Sequence, residues 1–120
     1  MSNLQMGAIE SRFADIIWQH EPLSSADLAI YSNEQLGWKK TTSYTVLKRL
    51  CNKGIFQNNK GTVTSLISKN EYYSMQSEQF VAETFNGSLP AFLTAFTSRK
   101  SLTAEEVAHL KHLVAEYEDN

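Results

Sequence analysis

The sequence predicts a mainly α-helical chain with one small β-hairpin, and three observations support this fold class. Six segments are predicted to be helices, with glycine, proline or capping residues between them. A short stretch rich in β-branched residues follows the third segment. Basic residues concentrate on the third helix and directly after it. This order is typical of a winged helix-turn-helix domain, here followed by a C-terminal helical region.

The first two helices have recognisable boundaries. The first is predicted over residues 7–19 and ends before Pro22. Ser24 or Ser25 can cap the second helix, and Gly37 ends it. The apolar positions that predict the first helix are Ile9, Phe13, Ile16 and Ile17.

The third helix separates apolar from polar side chains. Thr41 or Thr42 can cap it, and Gly54 terminates it. Its apolar positions are Val46, Leu47 and Leu50. Its other face carries Thr41, Tyr44, Thr45, Lys48 and Asn52. Because the apolar side packs into a core, the polar side is expected to face solvent.

A hairpin is predicted directly after the third helix. Residues 55–58 and 62–68 have a strand-like composition, and Asn59-Lys60-Gly61 between them is typical of a turn. Three helices and this hairpin predict a winged-helix domain over residues 1–69.

Three more helices are predicted over residues 70–85, 88–98 and 103–118, with a break at Asn86-Gly87. The last helix begins with a capping box, Thr103-Ala104-Glu105-Glu106. Its apolar residues follow a 3-4-3 spacing, which is typical of a helix that packs on another helix.

The apolar faces of the last two helices predict a homodimer. In a monomer they would expose a large apolar patch, which a second copy can cover. We therefore predict that residues 70–120 form a helical dimerisation region. The residues predicted to form this interface are Leu89, Phe92, Leu93, Phe96, Val107, Leu110, Val114 and Tyr117.

Composition excludes several classes of protein. With 42% hydrophobic residues among 120, the chain has enough apolar material for a core. It contains no apolar run long enough for a membrane span and no signal-peptide pattern, so a cytoplasmic protein is expected. The single cysteine, Cys51, excludes an intramolecular disulfide. No catalytic constellation or cofactor motif is present, so no enzyme is predicted.

Charge is segregated along the chain, although the formal net charge is −2. Residues 1–69 contain eight Lys and Arg and five Asp and Glu, whereas residues 70–120 contain three and eight. Residues 38–60 contain six basic residues and no acid. Because distant charges are screened beyond about 10 Å, this local excess of positive charge can attract a polyanion.

The third helix is therefore predicted to bind double-stranded DNA. Lysine, arginine and threonine side chains suit phosphate oxygens, and Tyr44 and Thr45 are placed to reach base edges in the major groove. The residues predicted to contact DNA are Lys39, Lys40, Thr41, Thr42, Tyr44, Thr45, Lys48, Arg49 and Lys60.

Residues 37–54 resemble the recognition segment of the penicillinase and methicillin-resistance repressor family, which includes the copper-transport operon repressors. They carry the pattern Trp-x3-Thr-x2-Thr-x3-Arg-Leu-x2-Lys-Gly. Other segments also resemble the family, so the likeness covers nearly the whole chain. These segments are Glu10, Ile16-Ile17-Trp18, Ser25-Ala26-Asp27-Leu28, Gly87-Ser88-Leu89 and Leu102-Thr103-Ala104-Glu105-Glu106.

The resemblance implies a dimeric transcriptional repressor that places its third helices in an inverted-repeat operator. By position, Thr42, Thr45 and Arg49 match the DNA-facing residues of the family. Tyr44 stands where arginine or lysine is common, and Ser11 stands where tryptophan is usual. Residues 61–67 stand where the family usually has a basic and tyrosine-rich second strand.

Two regulatory chemistries occur in the family. Copper repressors use C-terminal Cys-x-Cys motifs, which this chain lacks, so copper sensing by that route is not expected. Antibiotic-responsive members are cut at an Asn-Phe bond, which aligns with Ala95-Phe96; Phe96 matches and Ala95 does not. The resemblance thus allows a regulatory protease acting near Ala95-Phe96.

Two other functions are compatible with parts of the sequence. His109 and His112 lie one helical turn apart, but without a third ordered ligand we predict no metal site. The basic face could instead dock an acidic protein, as a winged-helix interaction module does. Salt-dependent binding of generic duplex DNA distinguishes the two functions.

Overall fold

The computed structural model describes residues 5–118. Residues 1–4, 119 and 120 lie outside the described residues. The prediction that the chain has no signal peptide falls in part on residues 1–4. In chain order the elements are α1 (Ala8–His20), β1 (Leu23–Ser24), α2 (Ser25–Leu36), α3 (Lys40–Asn52), β2 (Phe56–Asn59), β3 (Thr62–Ser65), α4 (Lys69–Thr84), α5 (Leu89–Thr97) and α6 (Ala104–Glu118).

The strands form one antiparallel sheet in the order β1-β3-β2. β2 and β3 make the predicted hairpin, whereas β1 was not predicted because two residues carry no periodicity. β1 pairs Leu23 with Val63. The prediction of a strand up to residue 68 was wrong, because the backbone N–H groups of Leu66 and Ile67 both donate to the carbonyl of Ile55 and the chain leaves the ladder there.

One apolar core lies between the first three helices and the sheet. Its fully buried large apolar side chains are Phe13, Ile17, Leu28, Leu50, Ile55, Phe56 and Val63. The two tryptophans close its edges. Trp38 stacks on Phe13 with ring centroids 5.1 Å apart, and the Trp18 indole N–H donates to the carbonyl of Ile67.

The predicted helix starts are confirmed for α2 and corrected for α3. Ser24 Oγ accepts from the Asp27 N–H at 2.9 Å, as predicted. The N-cap of α3 is Lys39, and the prediction of Thr41 or Thr42 was wrong. A side-chain cap contributes only about 1 kcal/mol. Packing of Trp38 on the core fixes the chain one residue before the cap, so tertiary contacts decide where α3 begins.

Contacts divide the chain into two compact units, of which the first ends at Ser77 and the second begins at Glu78. This division falls inside α4, eight residues beyond the boundary predicted at residue 69. Tyr72, on the first half of α4, is buried in the core of the first unit. The first turns of α4 therefore belong structurally to the winged-helix unit.

The second unit contains the end of α4 together with α5 and α6. Asn86 and Gly87 both have positive φ angles, 51° and 80°, at the predicted break. The capping box of α6 is confirmed, because the Thr103 N–H donates to Glu106 Oε1 and the Glu106 N–H donates to Thr103 Oγ1. These hydrogen bonds hold the pKa of Glu106 below its ordinary value.

Two buried serines differ in how their hydroxyls are satisfied. Ser32 on α2 donates to the carbonyl of Leu28 at 2.8 Å. Ser43 on α3 is also buried, and its hydroxyl has no hydrogen-bond partner among the described residues. A buried unpaired hydroxyl is costly because it loses its bonds to water.

We predict opposite effects of alanine at these two positions. Ser43→Ala removes an unpaired polar group and should raise the free energy of unfolding by about 1 kcal/mol. Ser32→Ala, the matched control, removes a satisfied hydrogen bond and should lower it by about 1 kcal/mol. Urea unfolding followed by circular dichroism measures both. Equal destabilisation by the two substitutions would contradict this description of Ser43.

Candidate nucleic-acid interface

α3 has one face buried in the core of the first unit and one face open to solvent. Val46, Leu47 and Leu50 are buried, as predicted. All nine residues predicted to contact DNA are exposed. Eight of them lie on α3 or at its N-cap, so the fold brings these together on one element. The ninth, Lys60, lies in the turn between β2 and β3.

The start of α3 presents cations and unpaired backbone donors. Its first turn contains no acidic residue, and its N-cap, Lys39, makes no capping hydrogen bond through its side chain within the described residues. The helix dipole adds partial positive charge at this end. Lysine side chains and free N–H groups at a helix N-terminus form a site that suits an anion.

Two side chains in the middle of the exposed face are held by their neighbours. The Lys40 ammonium lies 5.7 Å from the centroid of the Tyr44 ring, which is a cation–π distance. Thr45 Oγ1 donates to the carbonyl of Thr41 at 2.9 Å, which leaves its oxygen lone pairs outward. Both side chains are thus partly ordered on the surface.

Arg49 is paired with a residue on another helix. Its Nη1 donates to Glu10 Oε2 of α1 at 3.2 Å. Glu10 is one of the residues that resemble the family, but its pairing with Arg49 was not predicted, because the two residues are 39 positions apart in the sequence. Residues 38–60 contain no acidic residue, but the fold brings the Glu10 carboxylate into contact with them.

The turn of the hairpin is tied to the start of α2. The Gly61 carbonyl accepts from the Ser25 N–H at 2.8 Å, and the Gly61 N–H donates to Asn58 Oδ1 at 2.9 Å. Lys60 has a φ of 54°, in the left-handed region. The turn that carries Lys60 is therefore held by one backbone–backbone hydrogen bond and one hydrogen bond to a side chain.

The second unit contains no fully buried residue between positions 78 and 118. Of the eight predicted dimerisation residues, Phe92, Leu93, Val107 and Leu110 are half-buried and the other four are exposed. Tyr117 is 77% exposed. This unit packs its apolar side chains against each other without enclosing any of them.

An aromatic cluster and a groove organise the apolar side chains of the second unit. The Phe92 ring lies 6.0 Å from Phe80 and 5.6 Å from Phe85, both in edge-on geometry. A groove of about 300 Å³ runs between α5 and α6. The groove is lined by Phe92, Leu93, Phe96, Leu102, Glu106, His109, Leu110 and Leu113. Phe80 and Leu113 were not among the residues predicted for this surface.

The histidines of α6 and Cys51 do not form a metal site or a reactive site among the described residues. His112 pairs with Glu116 at 3.0 Å, and within residues 5–118 no cluster of three metal-ligating side chains occurs. Burial raises the pKa of the Cys51 thiol above its ordinary value, which disfavours the reactive thiolate. Within the described chain, none of the helices is both long and apolar enough to cross a membrane.

Comparison with known families agrees with the fold and with the motif on α3. The model of the penicillinase repressor family matches residues 6–116. The chain belongs to this family. Because its members are regulators of transcription, this membership also confirms the prediction that the chain is a repressor and not an enzyme.

Individual relatives of the family cover the same length. The penicillinase repressor of Bacillus licheniformis is 25% identical over 119 residues, which span 96% of this chain and 93% of the relative. The methicillin resistance regulatory protein MecI of Staphylococcus aureus (strain Mu50) is 21% identical over 114 residues, with 92% and 93% coverage. The likeness therefore includes the second unit.

A solved structure supports the fold of the first unit. The solution structure of the DNA-binding domain of the repressor BlaI superposes with a TM-score of 0.53 at 23% identity. The match covers 60% of this chain and 94% of that domain. The winged-helix fold predicted from the sequence is thereby confirmed.

Proposed function

We propose that this family member is a homodimeric, sequence-specific DNA-binding repressor that places α3 in the major groove of an inverted-repeat operator. The observation that carries the proposal is the outward face of α3. All its predicted contact residues are exposed, and its first turn lacks an acid. A surface selected only for solubility normally mixes both signs of charge.

Contacts to phosphates are assigned to the start of α3 and to its lysines. Lys39, Lys40, Thr41 and Thr42 surround the N-terminus, where the helix dipole and free N–H groups favour a phosphate. Lys48, two turns further along, adds a flexible cation. These contacts position the helix on the duplex and carry no sequence information themselves.

Sequence reading is assigned to Tyr44 and Thr45. Both project from the exposed face, and the Tyr44 side chain is oriented by the Lys40 ammonium. A hydroxyl can donate to or accept from a base edge, and the threonine methyl can contact the methyl of thymine. Two such residues on one recognition helix give limited specificity, and a dimer would double the number of base contacts.

Dimerisation is assigned to the second unit. Its lack of any buried residue between positions 78 and 118 means that a single copy has no enclosed apolar core there. A two-fold related copy would cover the exposed faces of α5 and α6. Two recognition helices about 34–36 Å apart would then meet successive major grooves. Engagement of the second half-site becomes intramolecular and raises affinity by roughly 10²–10⁴.

Regulation by a protease near Ala95-Phe96 stays a prediction. Both residues are exposed, and both lie within α5. Since proteases bind extended substrates, we expect α5 to unfold locally before that bond can be cut.

Salt dependence tests the phosphate contacts. Lys48→Ala should lower the slope of log affinity against log salt by about 0.9 on generic duplex DNA, because one phosphate contact is lost. Lys111→Ala, an exposed lysine of α6, is the control and should leave the slope unchanged. Fluorescence anisotropy with a labelled duplex measures both. If the native protein binds no duplex but captures acidic protein, the interaction-module alternative is favoured.

Base reading is tested on an operator obtained by sequencing the DNA that the protein retains from its own genome. Thr45→Ala should cost about 1–3 kcal/mol on this operator and little on random DNA. Thr94→Ala is the control, because Thr94 donates to the carbonyl of Pro90 at 2.9 Å in the same helical geometry. Equal losses on both DNAs would reassign Thr45 to positioning.

The dimer is tested with two variants, each of which introduces one aspartate on a different side of α6. Val114→Asp places a carboxylate among the predicted dimerisation residues of α6 and should convert the protein to a monomer at micromolar concentration. Ala108→Asp, on the opposite side of the helix, should leave the dimer intact. Sedimentation velocity gives the oligomeric state. A native chain that sediments as a monomer would refute the role of the second unit.

A further inference from the structure

We propose that Glu10 is a positioning residue that acts through Arg49 and limits binding to DNA of arbitrary sequence. The proposal rests on the proposed function, because it concerns the same face of α3. The Glu10 carboxylate contacts Arg49, a predicted DNA-binding residue. An acid at this position opposes the attraction between α3 and a polyanion, so its presence calls for a functional explanation.

The Glu10 side chain is itself held in place. Oε1 accepts from the Gly7 backbone N–H at 3.3 Å, and Oε2 accepts from Arg49 Nη1 at 3.2 Å. Only 20% of the Glu10 side chain is exposed, whereas 53% of the Arg49 side chain is exposed. The anion is thus the more enclosed partner, and the guanidinium is the more accessible one.

The backbone beneath Glu10 is anchored by two other elements. The Met6 N–H donates to the Tyr72 hydroxyl of α4 at 3.1 Å, and Lys53 Nζ at the end of α3 donates to the Gln5 carbonyl at 2.8 Å. Burial raises the pKa of Tyr72, and the nearby Glu10 carboxylate contributes to the same direction of shift. The segment before α1 therefore cannot easily move Glu10 away from α3.

The ion pair between Glu10 and Arg49 is expected to affect binding to generic DNA and binding to an operator differently. On generic DNA, α3 has no single register, and Arg49 held by Glu10 reaches a phosphate in only some of these registers; in the others it would have to leave the Glu10 carboxylate unpaired beside a polyanion. On an operator, α3 sits in one register, and Arg49 can use its other N–H donors while it stays bound to Glu10. Holding Arg49 thus weakens generic binding and spares operator binding.

The test compares two neutralising substitutions on α1. Glu10→Gln frees Arg49 and keeps an oxygen for the Gly7 N–H. Asp15→Asn is the matched control, because it also removes one negative charge from α1 and breaks an ion pair, that of Asp15 with Lys69 at 3.1 Å. Both variants therefore change the net charge equally, and Asp15 has no contact with Arg49 to lose.

On a generic duplex, Glu10→Gln should tighten binding roughly fivefold beyond Asp15→Asn and steepen the salt slope by up to about 0.9, since one more cation becomes available to phosphate. The ratio of operator to generic affinity should fall by a similar factor. In an Arg49→Ala background, Glu10→Gln should have no effect beyond that of Asp15→Asn. Circular dichroism melts verify that each variant is folded.

The outcomes separate the two proposals. Absence of duplex binding by the native protein would overturn the proposed function and this inference together. Binding by the native protein with identical curves for Glu10→Gln and Asp15→Asn would overturn this inference alone. A persistent effect of Glu10→Gln in the Arg49→Ala background would also overturn it, because Glu10 would then act without Arg49.

Discussion

Burial of the inner face of α3 is the constraint on which the rest of this structure depends. Val46, Leu47 and Leu50 enter the core, and the resulting orientation of α3 leaves the candidate contact residues on this helix exposed to solvent. A polar residue at one of these three positions would cost several kcal/mol if it were unpaired. The orientation of α3 is therefore a consequence of hydrophobic packing, and the chemistry of its outer face is free to serve binding.

The two units differ in how far they bury their apolar side chains. The first encloses a complete core, and its sheet and aromatic edges hold α1, α2 and α3 in one arrangement. The second buries nothing fully between residues 78 and 118 and distributes its apolar side chains along α5, α6 and a groove. α4 belongs to both, since Tyr72 is buried in the first core while Phe80 joins the aromatic cluster of the second.

Periodicity predicted the helices and the buried face of α3, and the capping box predicted the start of α6, because those features depend on neighbouring residues. Contacts between distant residues escaped prediction. The strand at Leu23, the pairing of Glu10 with Arg49 and the role of Tyr72 all require knowledge of how separate elements meet. The start of α3 at Lys40 also depended on tertiary packing, because the contacts of Trp38 outweigh the small energy of a threonine cap.

The central claim is that the outer face of α3 is the surface that meets DNA. Titration of generic duplex DNA into the ¹⁵N-labelled native protein, followed by amide chemical shifts, tests it most directly. The account predicts that the largest shifts map to residues 39–49 and that they diminish as salt is raised. Shifts that are confined to α5 and α6, or that do not respond to salt, would contradict it.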